Sequence, residues 1–156
     1  MQRGYDSDVA RIRVATTIDA PPRVVWAAIE DIGTHVGWMN DAVAIRFTSH
    51  RQQGVGTTFD CDTEVGPFRL TDRMAVTEWR PRRVMGVRHE GLVTGSGRFT
   101  LRRRRGGRTR FTWDERLRVP WRLGGPIGGA VTAVVLRRVW ATNLRNLKAI
   151  VEGRAD

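Results

Sequence analysis

Five polar side chains on otherwise apolar stretches of the sequence have the chemistry to bind or transform a ligand. Asp72, His89 and Glu115 are titratable and occupy strand-like segments in which alternate residues are apolar. Thr63 adds a hydroxyl group and Asn143 adds an amide. Apolar surroundings shift the pKa of a carboxyl group or an imidazole, and proton transfer to or from a substrate uses groups tuned in this way. The same groups could also anchor the polar part of a bound molecule.

Each of these residues also has a simpler structural explanation. Asp72 and Glu115 can lie near strand ends that water reaches, and His89, close to the turn at Gly91, can be a partly exposed histidine. Asn143 lies amid apolar residues of a helix, where an unpaired amide would cost about 1–3 kcal/mol. Its amide must therefore bond to a strand side chain, a ligand or water. Both explanations stay open for each residue.

Other common catalytic and metal sites have little support in the sequence. Cys61 is the only cysteine, and it is better explained as a small buried hydrophobe than as a nucleophile. The three histidines have no metal-ligand spacing, and the acidic residues of 60–64 share one strand face, where we expect pairs with Arg69 or Arg73 across the strands. No phosphate-binding glycine loop and no motif for a Ser/His/Asp triad is present. We therefore expect no metal and no cofactor.

A long C-terminal helix is the element that must face these polar residues. Between Gly125 and Glu152, apolar residues recur at helical spacing, while the arginines point away from them. The first half of this segment, 127–135, is apolar nearly all round, so we expect it to be covered on several sides. A helix about 40 Å long needs a broad apolar surface to bury its inner face.

The chain before this helix is predicted to form mostly strands. A first strand begins at Val9 and ends before Pro21, and two short helical segments follow as far as Trp38. From Ala42 to Val119, apolar and polar residues alternate, with glycine or proline turns roughly every eight to twelve residues. This pattern is typical of about six consecutive antiparallel strands.

A curved sheet of these strands, wrapped around the helix, would leave a cavity between the two. One side of each strand faces the helix, and that side is mostly apolar, with small residues at Cys61, Gly95 and Gly97 that leave space. No catalytic residue is assigned. The predicted ligand-binding residues are Phe59, Cys61, Asp72, Met74, Met85, Val87, His89, Phe99, Trp113, Glu115, Leu136, Trp140 and Asn143.

Four features carry a resemblance to a known superfamily: 18–31, which opens Ile-Asp-Ala-Pro, Trp38 before Val43, 106–113 and the final helix. Over about residues 9–152 the chain resembles the START-like, helix-grip superfamily (SRPBCC), which includes polyketide cyclase/dehydrase and lipid transport proteins. The resemblance implies an α+β helix-grip fold. In that fold a curved antiparallel sheet of about six or seven strands wraps a long C-terminal helix, with two short helices after the first strand. It implies no fixed catalytic motif.

Length and charge limit the remaining possibilities. A chain of 156 residues is expected to form one domain over 9–152, after a flexible tail at 1–8. No run of about 18 apolar residues and no signal-peptide pattern is present, so we expect a soluble, cytoplasmic protein. The net charge of +11 comes almost entirely from arginines spread along the chain, and no nucleic-acid-binding motif accompanies them. We expect no nucleic-acid partner.

Three functions fit these observations. The favoured one is a carrier or sensor that binds a small hydrophobic molecule, such as a lipid or polyketide, in the cavity. The alternative is a polyketide cyclase/dehydratase that uses acid–base groups in the same cavity, which requires two polar groups to converge on a common point there. The third is an interaction protein whose arginine-rich face docks an acidic partner or an anionic membrane surface. A homodimer is compatible with all three.

Overall fold

The protein folds as one antiparallel sheet packed against a long helix, as the computed structural model of residues 9–120 and 125–153 shows. The expected tail at 1–8 lies outside these described residues. The strands are β1 (Val9–Ile18), β2 (Ala42–Phe47), β3 (Thr58–Val65), β4 (Phe68–Arg80), β5 (Val84–Glu90), β6 (Thr94–Arg104) and β7 (Arg108–Arg118). Their order in the sheet is β1-β7-β6-β5-β4-β3-β2, so every strand from β2 to β7 lies beside its neighbour in sequence. The α+β helix-grip prediction is confirmed.

Two short helical elements follow β1, as predicted. Helix α1 (Pro22–Ile29) starts with proline in its first turn, where the missing N–H has no helical partner to lose. A 3-10 helix (Ile32–Gly37) comes next, and the Asp31 side chain caps it by accepting a hydrogen bond from the Gly33 backbone N–H at 3.0 Å. Both elements bury apolar side chains in the core.

Helix α2 (Gly125–Gly153) closes the concave side of the sheet and packs against β1. Its C-terminal half buries Trp140, Leu144 and Leu147. The expectation that the apolar first half is covered on several sides is wrong for 130–135, where Val131 is 61% exposed and Val134 and Val135 are exposed as well; the side chains of 127–129 lie outside the description. Val131 and Val135 line the open cavity, so strand side chains do not cover them. No described helix combines the length and hydrophobicity needed to cross a bilayer.

Local irregularities shape the sheet. The register shifts between Ala42 and Ala44 in β2 and between Val76 and Glu78 in β4, and such shifts bend the strands that contain them. Gly95 has φ +135°, and a Cβ there would lie 1.9 Å from the Arg116 backbone oxygen. Only glycine therefore permits the close approach of β6 to β7 at this point.

The outer face of β2, β3 and β4 carries cross-strand ion pairs. Arg69 Nε lies 3.0 Å from Glu64 Oε1, and Arg73 Nε lies 3.8 Å from Asp60 Oδ1, which confirms the predicted pairing across these strands. Each pair is solvent-exposed on the arginine side and adds little stability on its own. These carboxylates face away from the cavity-lining side of the sheet.

Candidate ligand-binding cavity

A cavity of about 620 Å³ lies between the concave face of the sheet and α2. This volume is within the usual range for small-molecule sites. Asn143 does not line the cavity. The other predicted ligand-binding residues do: Phe59, Cys61, Asp72, Met74, Met85, Val87, His89, Phe99, Trp113, Glu115, Leu136 and Trp140. Their contact with a ligand stays a prediction.

Aromatic side chains form much of the wall where α2 meets the sheet. Trp140 of α2 stacks on Trp113 of β7, with ring centroids 4.6 Å apart and planes 14° apart. Phe99 of β6 meets Trp113 edge-on at 5.2 Å. These two contacts hold α2 against β6 and β7 and give the cavity a flat apolar wall.

Three titratable residues from three strands meet in the cavity wall. His89 of β5 lies between two carboxyl groups: its Nδ1 is 2.8 Å from Asp72 Oδ2 of β4, and its Nε2 is 2.8 Å from Glu115 Oε2 of β7. All three are at least nine-tenths buried. Trp113 Nε1 donates to the other Glu115 oxygen, Oε1, at 2.9 Å. We call Asp72, His89 and Glu115 the charged cluster.

Glycine in β6 makes this cluster possible. Strand β6 separates β7 from β5, so the Glu115 side chain must pass over β6 to reach His89. Gly97 is the residue paired with Glu115 across these strands. A Cβ at position 97 would lie 2.2 Å from Glu115 Oε1, which is too close for the two atoms to coexist. Gly97 was expected to leave free space, and in the structure Glu115 occupies that space.

The charged cluster shifts the pKa of its imidazole. Burial is the largest single influence and by itself would lower the pKa of His89. The hydrogen bonds and negative charges of Asp72 and Glu115 together outweigh burial and raise the pKa of His89 to about 10. Geometry agrees, because both ring nitrogens lie at hydrogen-bond distance from carboxylate oxygens and only an imidazolium has two N–H groups to donate.

The amide of Asn143 holds a loop instead of facing the cavity. Asn143 is fully buried; its Oδ1 accepts from the Asn40 backbone N–H at 2.9 Å, and its Nδ2 donates to Asp41 Oδ1 at 2.7 Å. Trp140 Nε1 donates to Asp41 Oδ2 at 3.0 Å. The partners lie in the segment just before β2, so the amide is satisfied by a loop and not by a strand side chain, a ligand or water.

His35 is a cavity-lining residue that was not predicted from the sequence. Its ring Nε2 lies 2.7 Å from the Ile29 backbone oxygen, to which it can donate a hydrogen bond. Burial, only partly offset by the Ile29 bond and the Asp31 charge, lowers the pKa of His35 to about 4, so the ring is neutral at physiological pH. A signal was available: Ile32, His35 and Trp38 recur every three residues, which is the period of a 3-10 helix, and all three are buried.

Cys61 and Thr63 are the remaining predicted residues of the cavity with a polar or reactive side chain. Cys61 is a buried free thiol, and burial raises its pKa to about 11, so it packs as a small hydrophobe. Thr63 lines the cavity, with its hydroxyl 3.9 Å from Cys61 Sγ. Within 9–120 and 125–153, no three His, Cys, Asp or Glu side chains are arranged to hold a metal ion.

The mouth of the cavity is apolar and exposed. Phe68 at the start of β4, Leu92 from the β5–β6 turn and Val131 from α2 all line it and are open to solvent. Arg69 and Arg98 also lie along its edge, and each is paired with a glutamate. A hydrophobic molecule would therefore meet apolar side chains from the surface inward to the charged cluster.

Several solved structures share this fold at low sequence identity. TTHA0849 from Thermus thermophilus aligns with a TM-score of 0.77 at 14% identity, over 94% of this chain and 99% of that one. The ZhuI aromatase/cyclase from Streptomyces sp. R1128 aligns with a TM-score of 0.75 at 15% identity, over 95% and 96%. A START superfamily protein from Mycobacterium smegmatis aligns with a TM-score of 0.68 at 13% identity, over 93% and 96%.

Sequence comparison assigns the chain to a family. No curated protein sequence matches it. A family profile does match, and it spans residues 9–152, from the start of β1 almost to the end of α2. The chain belongs to the polyketide cyclase / dehydrase and lipid transport family.

Proposed function

We propose that the protein binds a small hydrophobic molecule, such as a lipid or a polyketide, in the cavity between the sheet and α2. The observation that carries this proposal is the cavity itself: about 620 Å³, walled mainly by apolar and aromatic side chains, with one charged cluster in its wall. Binding sites for small molecules usually combine an apolar lining with a few placed polar groups. Family membership supports the same function.

A binding assay with a cavity-blocking variant tests this proposal. 1,6-Diphenyl-1,3,5-hexatriene is a neutral hydrocarbon dye without a hydrogen-bond donor, so neither the protein's positive charge nor the charged cluster attracts it. We expect the wild type to bind the dye saturably with one-to-one stoichiometry. Val87→Trp should bind it much more weakly, because Val87 lines the cavity and the indole ring of a tryptophan there would occupy the space that the dye needs. Arg88→Gln, next along β5 and exposed, is the control and should bind like the wild type. Equal binding by Val87→Trp and the wild type would place the dye elsewhere and refute the proposal.

Native mass spectrometry of the purified protein complements the dye assay. A co-purified apolar molecule that is lost from Val87→Trp but retained by Arg88→Gln would identify the natural ligand class. Retention of the same molecule by both variants would show that it binds outside the cavity.

A second candidate function is acid–base catalysis on a polyketide-like chain, and the charged cluster is the observation that favours it. The requirement for the enzyme alternative was convergence of two polar groups, and Asp72, His89 and Glu115 are joined by hydrogen bonds in the cavity wall. In such a reaction the base would be the Asp72 carboxylate, oriented by His89. It would take a proton from a carbon between two carbonyl groups, and the C–H electron pair would stay on the substrate as an enolate.

The catalytic candidate is tested with a linear poly-β-ketone thioester. A cyclase/dehydratase converts it into a ring and releases water, which mass spectrometry detects. We expect Asp72→Asn to abolish this conversion while still binding 1,6-diphenyl-1,3,5-hexatriene, which makes no hydrogen bond to Asp72. An unchanged thioester after incubation with the wild type, at concentrations that displace the dye, would count against catalysis and leave the binding function intact.

A further inference from the structure

The charged cluster presents hydrogen-bond acceptors to the cavity and keeps its donors for itself. Its N–H groups are those of His89 Nδ1 and Nε2, and each faces a carboxylate oxygen at 2.8 Å. The neighbouring Trp113 Nε1–H donates to Glu115 Oε1. Both oxygens of Glu115 are thereby occupied. A ligand that reaches the cluster finds no N–H group there free to donate to it.

One acceptor in the cluster is left over. Asp72 Oδ2 accepts from His89, but Asp72 Oδ1 is buried and has no hydrogen-bond partner among the described residues. The residue is 9% exposed and lines the cavity. A buried carboxylate oxygen without a donor is unfavourable, and a ligand that supplies one removes that penalty.

The other polar side chains of the cavity do not offer a site for an acid. Both oxygens of Asp41 are occupied by Asn143 and Trp140. Among the described residues around the cavity, the arginines lie at its edge and are paired, Arg69 with Glu64 and Arg98 with Glu78. Thr63 and Thr132 can either donate or accept, so they do not discriminate between an acid and an alcohol. His35 is neutral and uses its Nε2 N–H to bond the Ile29 oxygen, so it has no donor left for an acid. A ligand carboxylate near Asp72 would meet a like charge without a compensating donor.

We infer that the cavity selects ligands that carry a hydrogen-bond donor, a hydroxyl or an amine N–H, toward which the Asp72 carboxyl group turns its enclosed Oδ1, and that it rejects ligands whose polar group is a carboxylate. This inference rests on the proposed function, since it names the chemistry of the molecule that the cavity holds. It distinguishes phenols, alcohols and amines from fatty acids and other carboxylic acids of the same size.

A matched set of naphthalenes tests the selectivity with the wild-type protein alone. 2-Naphthol carries the donor, 2-methoxynaphthalene blocks it with a methyl group, and 2-naphthoate replaces it with a carboxylate. Each is titrated at neutral pH by displacement of 1,6-diphenyl-1,3,5-hexatriene, a dye without a hydrogen-bond donor. We expect 2-naphthol to bind about tenfold more tightly than 2-methoxynaphthalene, as a hydrogen bond to a charged acceptor predicts, and 2-naphthoate to bind most weakly.

Asp72→Asn then assigns the selectivity to one residue. The asparagine oxygen can still accept from His89 while its NH₂ group takes the place of Oδ1, so the acceptor for 2-naphthol is lost and its preference over 2-methoxynaphthalene should fall to within about twofold. Glu90→Gln removes an exposed carboxylate near the end of β5 and should keep the preference. A wild-type circular dichroism spectrum and a cooperative urea transition show that Asp72→Asn is folded.

The outcomes separate the inference from the function on which it rests. If 2-methoxynaphthalene or 2-naphthoate binds the wild type as tightly as 2-naphthol, the inference is wrong and the binding function stands. If Asp72→Asn keeps the full preference, Asp72 is not the acceptor and the inference is wrong in that form. If neither the dye nor any naphthalene binds the wild type, the proposed function itself fails.

Discussion

Gly97 of β6 lies directly opposite Glu115 of β7, and the space above its missing side chain is filled by the Glu115 carboxyl group. Without that space Glu115 could not reach across β6 to His89. The charged cluster therefore depends on Gly97, a residue that contributes no side-chain atom to it.

Gly97→Ala should break the cluster. A methyl group 2.2 Å from Glu115 Oε1 must displace the carboxylate, which leaves His89 and Trp113 Nε1 without a shared partner. Separation of a buried ion pair costs about 3–5 kcal/mol, so we expect a fall in the free energy of unfolding of that order. Urea unfolding followed by tryptophan fluorescence measures it.

Gly37→Ala is the matched control for this substitution. A Cβ added at Gly37 would meet no atom within 4 Å, and the φ of Gly37 is not in the left-handed region. We expect the unfolding free energy of this variant to stay within about 0.5 kcal/mol of the wild type. If the two alanine variants were equally stable, Glu115 would not need the space above Gly97.

The charged cluster was only half predictable from the sequence. Alternation placed Asp72, His89 and Glu115 on the inward side of their strands, because side-chain direction follows parity alone. Which inward residues touch depends on the register of four strands, from β4 to β7, and on the space above Gly97. Parity carries no information about register, so the sequence could place these residues on one face without joining them.

The hydrogen-bond partners of Asn143 show a second limit of prediction from the sequence. Its bonds to Asn40 and Asp41 join residues 103 and 102 positions apart, and the loop that supplies them has no periodic pattern. A buried amide predicts that some partner exists, since an unpaired one is costly, but not which segment provides it. The ligand contact predicted for Asn143 was drawn from the helix face alone.

Stability should fall on the alkaline side because of His89. Its pKa rises from an ordinary value of 6.5 to about 10 in the folded protein, so the folded state holds a proton there that the unfolded state has lost. The stabilisation is fully present below pH 6.5 and is lost as the pH rises toward 10. We expect the free energy of unfolding to decline by about 1.4 kcal/mol per pH unit across this window.

His89→Gln serves as the test of that assignment. Glutamine does not titrate, so the variant should be less stable than the wild type near pH 6.5 and should lack the alkaline decline. Urea titrations at several pH values provide the measurement. An identical decline in the variant would assign the effect to another group.

Stability should also fall on the acid side because of His35. Burial lowers its pKa from 6.5 to about 4, so the folded state excludes a proton that the unfolded state binds. The contribution is present above pH 6.5 and is lost as the pH falls toward 4, at about 1.4 kcal/mol per pH unit. The summed contribution of His35 and His89 to the free energy of unfolding is therefore greatest near pH 6.5.

Two histidine variants separate His35 from general acid denaturation. His35→Gln can still donate to the Ile29 oxygen but cannot titrate, so its unfolding free energy should be flatter between pH 6.5 and 4. His50→Gln removes an exposed histidine and should reproduce the wild-type profile. Parallel profiles for His35→Gln and the wild type would mean that His35 is protonated in both states or in neither.

Asn143→Ala should reduce stability while leaving the cavity able to bind. The substitution leaves Asp41 Oδ1 and the Asn40 N–H without their partner, and each unsatisfied buried group costs about 1–3 kcal/mol. Because Asn143 does not line the cavity, we expect dye affinity to change by less than about threefold. Asn146→Ala, on the same helix, removes two longer bonds of 3.2 Å at a less buried position and should cost less. A variant that keeps wild-type stability but loses the dye would show instead that Asn143 acts on the ligand.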